Sequence, residues 1–472
     1  MTAGARTGSG RAKTAGRGPA YRCSECGWTA VKWVGRCGEC QAWGSVTEVG
    51  VVPVRTSAAR TVERPAVPIA EVDATRAVAR STGVPEFDRV LGGGIVPGAV
   101  VLVAGEPGIG KSTLLLDVAA RAAREGTAQE ERRVLYVTGE ESAAQVRTRA
   151  ERIEAMARSL YLAAETDLST LLAHIDRIEP ELVVVDSVQT ISSTEVEGSA
   201  GNVSQVREVA SALIDVAKAR GIAVLLVGHV TKDGSIAGPR VLEHLVDVVV
   251  AFEGDRHSRL RLVRAVKNRF GPTDEVGCFD LSDIGIVGLA DPSGLFLTHR
   301  TAEVAGTCVT VTLEGRRPLV TEVQALVAKS AIPTPRRATS GLDSARVGMI
   351  LAVLDRRARA PITDHDAYLS TVGGVRITEP AADLAVALAL ASAILDRPLP
   401  GQTIAFGEVG LAGEIRPVTG SHRRLAEAAR LGFTRAIVPP GVIGAGPVPG
   451  GIAVVEAATV ADAVRLGVHG RE

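Results

Sequence analysis

Gly105-Glu106-Pro107-Gly108-Ile109-Gly110-Lys111-Ser112 fits the spacing G-x-x-x-x-G-K-[ST] of a phosphate-binding loop. The apolar run Ala99–Ala104 enters it and reads as a buried strand, and the leucine-rich run Thr113–Ala123 leaves it and reads as a helix. Strand, glycine loop and helix in that order imply an α/β fold built around the entering strand. Glycines at 105, 108 and 110 let backbone N–H groups converge on phosphate oxygens without Cβ clashes. The helix N-terminus adds the positive end of its dipole. Lys111 is expected on the β- and γ-phosphates of ATP and Ser112 on Mg²⁺, with Thr113 completing the residues that line the nucleotide.

Downstream, apolar strands alternate with amphipathic helices, the pattern of a parallel sheet. Arg133–Thr138 reads as a strand that ends in Gly139-Glu140-Glu141-Ser142. Either glutamate could polarise an attacking water, and Ser142 could cap the next helix. Leu182-Val183-Val184-Val185-Asp186 is an apolar run closed by a carboxylate, so Asp186 is expected to hold Mg²⁺. Ile222–Gly228 is a further buried strand followed by His229, which could sense a γ-phosphate or serve a purely structural hydrogen bond. Two polar loops, Thr190–Ser204 and Lys232–Arg240, fall at the same sheet end, where they could touch DNA or be ordinary surface. From Asp247 the pattern becomes alternating, and it closes with Lys267-Asn268-Arg269-Phe270-Gly271. That cationic cluster could reach a phosphate in a neighbouring subunit, as an arginine finger does, or form a solvated hairpin tip.

Near the N-terminus, Cys23 and Cys26 and then Cys37 and Cys40 give C-x2-C-x10-C-x2-C, two matched knuckles for one Zn²⁺. The chain has three tryptophans, Trp28, Trp33 and Trp43, and all fall in this module. They are expected to supply a core to a fold too small to have one; the alternative is base stacking beside Lys32 and Arg36. Cys278 and Cys308 stand alone in apolar surroundings and read as core residues. Met1–Ala20 carries four cations and no apolar stretch, which reads as a disordered basic tail and not as a secretory leader. Over 472 residues the 53 Lys and Arg balance 53 Asp and Glu, so any nucleic-acid surface must be a local patch. No apolar run approaches the ~20 residues of a membrane span. Clustered cysteines of this kind fit a reducing compartment, and a cytoplasmic location is expected.

The cysteine module, the phosphate loop and Lys267–Gly271 together resemble the RadA (Sms) family of bacterial DNA-repair proteins, over roughly Tyr21–Gly467. The resemblance implies a RecA-like ATPase assembled as a homo-hexamer. It implies ATP hydrolysis stimulated by DNA, translocation on single-stranded DNA and branch migration on branched DNA in cooperation with the RecA recombinase. By position, Glu140 then matches the catalytic glutamate, with Glu141 as the fallback, and Lys267 and Arg269 couple hydrolysis to DNA or to the next subunit. The C-terminal part resembles the proteolytic domain of Lon proteases, but Ala381 stands where the serine nucleophile belongs, and Ser421-His422-Arg423-Arg424 stands where the lysine belongs. Alanine offers no nucleophile and arginine cannot deprotonate near neutral pH, so this domain is expected to be proteolytically dead. Arg316, Arg317, Arg336, Arg337, Arg423 and Arg424 are candidate phosphate contacts, the alternative for each being a solvated surface charge.

The expected architecture is α/β: a RecA-like P-loop NTPase core, a small N-terminal zinc ribbon and an α+β Lon-protease-like C-terminal domain. The expected boundaries are a tail at 1–20, a zinc module at 21–50, a linker at 51–75, the ATPase domain at 76–290 and the Lon-like domain at 291–472. Two other functions compete: an ATP-dependent protease, and an interaction protein that recruits recombinases through its zinc module.

Overall fold

A computed structural model describes residues 21–48, 66–73, 77–124, 132–229, 239–254, 259–293, 297 and 303–468. The basic tail, most of the linker and residues 232–238 of the second polar loop lie outside them. The chain divides into two compact units, Met1–Asp73 and Ala74–Glu472. Among the described residues no helix is long and apolar enough to cross a membrane.

The first unit is a three-stranded antiparallel ribbon in which β1 (Tyr21–Cys23) lies between β2 (Thr29–Ala30) and β3 (Val46–Glu48). Its small core is Cys23, Cys37 and Val46, with Trp28 packed against them. The expectation that all three tryptophans build this core is corrected: Trp33 and Trp43 are exposed. The cysteine pairs already centre the fold, which leaves room inside for one indole.

The second unit begins with α1 (Pro85–Leu91), β4 (Val100–Gly105), α2 (Lys111–Arg124), β5 (Val134–Thr138), α3 (Ala143–Arg152) and β6 (Leu160–Ala164). It continues through α4 (Leu168–Ile178), β7 (Leu182–Asp186), α5 (Val203–Arg220), β8 (Ala223–His229), α6 (Pro239–Leu242), β9 (Val248–Glu253), β10 (Leu260–Asn268), β11 (Val276–Ser282) and β12 (Gly285–Gly288). These strands make one sheet in the order β12-β11-β10-β9-β4-β8-β7-β5-β6. From β9 to β6 every neighbouring pair is parallel, and β10, β11 and β12 add an antiparallel flank. A parallel strand covered on both faces must be apolar throughout, and β4, β5 and β7 are fully buried. Val101 and Val103 face α2, while Val100 and Leu102 face α4 and α5. The polar loop Thr190–Ser204 follows β7. It is stapled by the buried Gln205, whose amide takes the Ser193 N–H at 2.8 Å and donates to the carbonyls of Ser193 and Gly198 at 3.0 and 3.1 Å.

The C-terminal part carries β13 (Thr307–Glu314), β14 (Arg317–Lys329), β15 (Arg337–Ser340), α7 (Ser344–Arg357), β16 (His365–Thr371), α8 (Asp383–Leu395), β17 (Thr403–Ala405), β18 (Glu408–Val409), β19 (Ile415–Arg416), α9 (Ser421–Arg430), β20 (Arg435–Val438), β21 (Ala453–Glu456) and α10 (Val460–Gly467). Its main sheet runs β15-β16-β14-β13-β17-β20-β21, with α7, α8 and α10 on one face and α9 on the other. Cys278 and Cys308 are buried, as expected of core residues.

Two of the six candidate phosphate-contacting arginines are corrected by burial. Arg424 is 0% exposed: its guanidinium forks onto the Glu379 carboxylate, donates to the carbonyls of Thr419 and Val311, and lies 5.8 Å over the Phe406 ring. Arg317 is also buried. It pairs with the buried Glu86 of α1 and donates to the carbonyls of Leu289 and Ala290 at 2.9 and 2.8 Å, tying the nucleotide-binding core to the C-terminal sheet. Neither side chain is available to a ligand. Losing one partner of a buried pair strands the other, at about 3–5 kcal/mol. Arg424→Ala is therefore expected to lower the unfolding free energy by about that amount, read from urea denaturation. Arg424→Lys restores little of it, because an ammonium cannot fork.

Candidate nucleotide site and metal centre

The parallel register brings the predicted nucleotide residues to one sheet end. Gly105 of β4 lies opposite His229 of β8, and Thr138 of β5 opposite Asp186 of β7. The carboxyl ends of parallel strands are where α/β sheets bind ligands. The loop from Glu106 to Gly110 then turns into α2. Gly108 and Gly110 adopt φ of +77° and +112°, which other residues rarely reach.

Lys111 is almost completely buried, and its ammonium donates to the carbonyls of Gly105 (3.0 Å) and Glu106 (2.9 Å). Burial pulls its pKa down to about 8, although Asp186 and Glu140 work against the shift. His229 Nδ1 lies 3.3 Å from this ammonium, and its Nε2 lies 2.9 Å from Glu140 Oε1. With Nδ1 accepting from Lys111, Nε2 carries the proton donated to Glu140. Ser187 Oγ donates to the same glutamate oxygen at 2.7 Å. Glu140 is thus held toward the phosphate loop. Glu141 turns away to pair with Arg149 of α3, and Ser142 caps that helix in a reciprocal box with Gln145. Asp186 is buried and accepts from the Tyr136 hydroxyl at 2.6 Å; burial and this carboxylate push the phenol well up.

Three supporting residues were missed in the sequence. Tyr136 orients Asp186, Ser187 orients Glu140, and Arg261 of β10 is buried with Nε donating to the Ile109 carbonyl at 3.2 Å. The signals were a tyrosine in an otherwise aliphatic strand and an arginine in step with the buried Val263 and Ala265.

Lys267 and Arg269 are not brought to this site. Lys267 pairs with Val249, Asn268 with Val248, and Val248 with Val101, at the opposite end of β4 from Gly105. Four residues of strand separate the two ends, about 13 Å. Lys267 Nζ is occupied by the carbonyls of Glu243 and Val246 at 2.7 and 2.8 Å. Arg269 is exposed and touches Asp247 at 3.3 Å. Asn268 donates to the Leu91 carbonyl at 3.2 Å, and a Cβ on Gly271 would come within 3.1 Å of the Gly92 Cα.

In the first unit the four Sγ atoms of Cys23, Cys26, Cys37 and Cys40 all lie within 4.8 Å of one another. Cys23–Cys40 and Cys26–Cys37 are separated by 3.7 and 3.6 Å. A tetrahedron with Zn–S bonds of ~2.3 Å has edges of about 3.8 Å, so this donor set fits Zn²⁺.

The sequence comparisons agree with this geometry. Residues 66–235 match the family described as an AAA domain, 21–48 a rubredoxin metal binding domain, and 373–441 subunit ChlI of Mg-chelatase. DNA repair protein RadA of Mycolicibacterium smegmatis is 58% identical over 457 residues, covering 94% of this chain and 96% of the relative. The chain belongs to the RadA family of DNA repair proteins. The RadA of Mycobacterium tuberculosis is 57% identical, covering 94% and 92% of the two chains, and that of Streptococcus pyogenes serotype M1 is 47% identical, covering 93% and 96%. The RadA architecture here is a zinc ribbon, an AAA-type P-loop core and a Lon-protease-like C-terminal domain.

Two outcomes are expected. Phosphates draw the Lys111 proton back, so nucleotide binding takes up a proton above pH 8. Affinity for a fluorescent ATP analogue should hold steady from pH 7 to 8 and then fall by up to about ten-fold per pH unit. In Lys111→Arg, whose side chain does not titrate, this fall should vanish. Colorimetric assay should find one zinc per chain, lost in Cys26→Ser together with a red shift of Trp28 emission as the ribbon opens.

Proposed function

We propose that this RadA-family chain is a DNA-dependent ATPase motor of recombinational repair. It translocates on single-stranded DNA and extends recombination intermediates by branch migration alongside the RecA recombinase. The observation that carries the reading is the convergence of Lys111, Glu140, Asp186 and His229 at one sheet end, inside a DNA-repair family.

The phosphate loop, Gly105–Thr113, binds the triphosphate, and Lys111 exchanges its carbonyl partners for phosphate oxygens. Ser112 and Asp186 hold Mg²⁺, whose charge offsets that of the phosphates. Glu140, fixed by Ser187 and His229, orients a water and accepts its proton. Lys267 and Arg269 couple hydrolysis to DNA or to the neighbouring subunit of a homo-hexamer, and their distance from the nucleotide of their own chain favours action in trans. Arg269 is the one that reaches out, and Lys267 anchors the segment beneath it. Ala381 is 0% exposed and carries no nucleophile, which supports a proteolytically inert Lon-like domain that serves in assembly and DNA binding, in a cytoplasmic protein.

The test is steady-state ATP hydrolysis with Mg²⁺, with and without single-stranded DNA, at two salt concentrations. Strong stimulation that weakens with salt is expected. Glu140→Gln should bind ATP normally and turn over about 100-fold more slowly or worse. Arg269→Ala should keep basal turnover and lose stimulation. Turnover indifferent to DNA would overturn the motor reading.

A further inference from the structure

The zinc ribbon holds every tryptophan of the chain and uses only Trp28 for its core. Trp33 and Trp43 remain 64% and 76% exposed. An indole offers 150–250 Å² of apolar surface, and leaving two in water is costly unless something covers them.

Their placement is specific. A Cβ on Gly35 would lie 3.7 Å from the Trp33 ring and 3.9 Å from the Trp43 ring. The bare glycine therefore forms a floor between two indoles. The pair is locked by the Gly44 N–H, which donates to the Gly35 carbonyl at 2.9 Å, and by an antiparallel bridge between Arg36 and Trp43. The Arg36 guanidinium lies 5.5 Å over the Trp43 ring, its Nε held by the Gln41 carbonyl at 2.9 Å. Lys32 is exposed beside Trp33 in sequence, and residues 27–38 contain no carboxylate.

We propose that Trp33 and Trp43, with Lys32 and Arg36, form a binding site for unpaired bases of single-stranded DNA. Exposed aromatic rings stack on any base, and adjacent cations meet the backbone phosphates without reading sequence. The two cations set beside the two rings favour a polyanion over a protein surface, and the flanking carboxylates in sequence, Glu25 and Glu39, lie outside residues 27–38. The inference rests on the DNA-directed reading above and adds a contact site remote in sequence from the motor.

Because all tryptophans lie in this module, the intrinsic emission of the full-length protein reports on it directly. Titration with unlabelled oligo(dT) should quench that emission with the same midpoint as anisotropy of a labelled oligo(dT). The double variant Trp33→Ala/Trp43→Ala should weaken oligo(dT) binding on the order of ten-fold or more, while zinc content and DNA-free ATP turnover stay unchanged. Trp33→Phe/Trp43→Phe, which keeps stacking rings, should recover most of the affinity. Binding seen by anisotropy with unchanged emission would overturn the site and leave the motor intact. So would a double alanine variant that holds DNA normally but no longer associates with RecA, which would assign the surface to protein. A chain that binds no DNA at all overturns the DNA reading and this site with it.

Discussion

A lysine buried at the end of a parallel sheet sets the terms for the rest of the nucleotide core. Lys111 must keep company with acceptors, because an isolated ammonium in that position costs several kcal/mol. The loop carbonyls and His229 supply them. Glu140, Ser187, Asp186 and Tyr136 form the polar shell around that demand. The apolar strands beneath it place four chain segments in register and leave no room for slippage.

A second constraint acts between the two sheets of the larger unit. Glu86 and Arg317 are both buried, and Arg317 also donates to the carbonyls of Val276 in β11 and of Leu289 and Ala290 after β12. A pair of this kind adds little net stability over apolar residues of the same shape, but it tolerates one geometry. The nucleotide-binding sheet and the Lon-like sheet are thereby fixed to each other through α1.

Local chemistry was legible in the sequence, and long-range chemistry was not. The phosphate loop and the cysteine knuckles are short motifs whose residues lie close together in the chain. Each therefore carries its own context. The side chains that surprised do their work across the fold. Arg424 reads as a surface cation beside Arg423, yet it meets Glu379 from 45 positions away, and nothing in its helix announces that partner. Arg317 meets Glu86 across 231 positions. Glu140 and Glu141 are equivalent as letters, and the α3 arginine on one side and Ser187 with the β8 histidine on the other separate them. The tryptophans erred in the other direction: small size argued for a buried cluster, but the cysteines had already centred the module.

Strand β10 has its two ends engaged on different business. At Arg261 it holds the Ile109 carbonyl of the phosphate loop, and at Asn268 it holds the Leu91 carbonyl at the end of α1. The strand is paired on both sides from Leu260 to Arg264, and its register with β9 shifts between Ala265 and Lys267 before Asn268 is reached. One strand therefore braces the phosphate loop at Arg261 and, past an irregular step, seats the segment that presents Arg269.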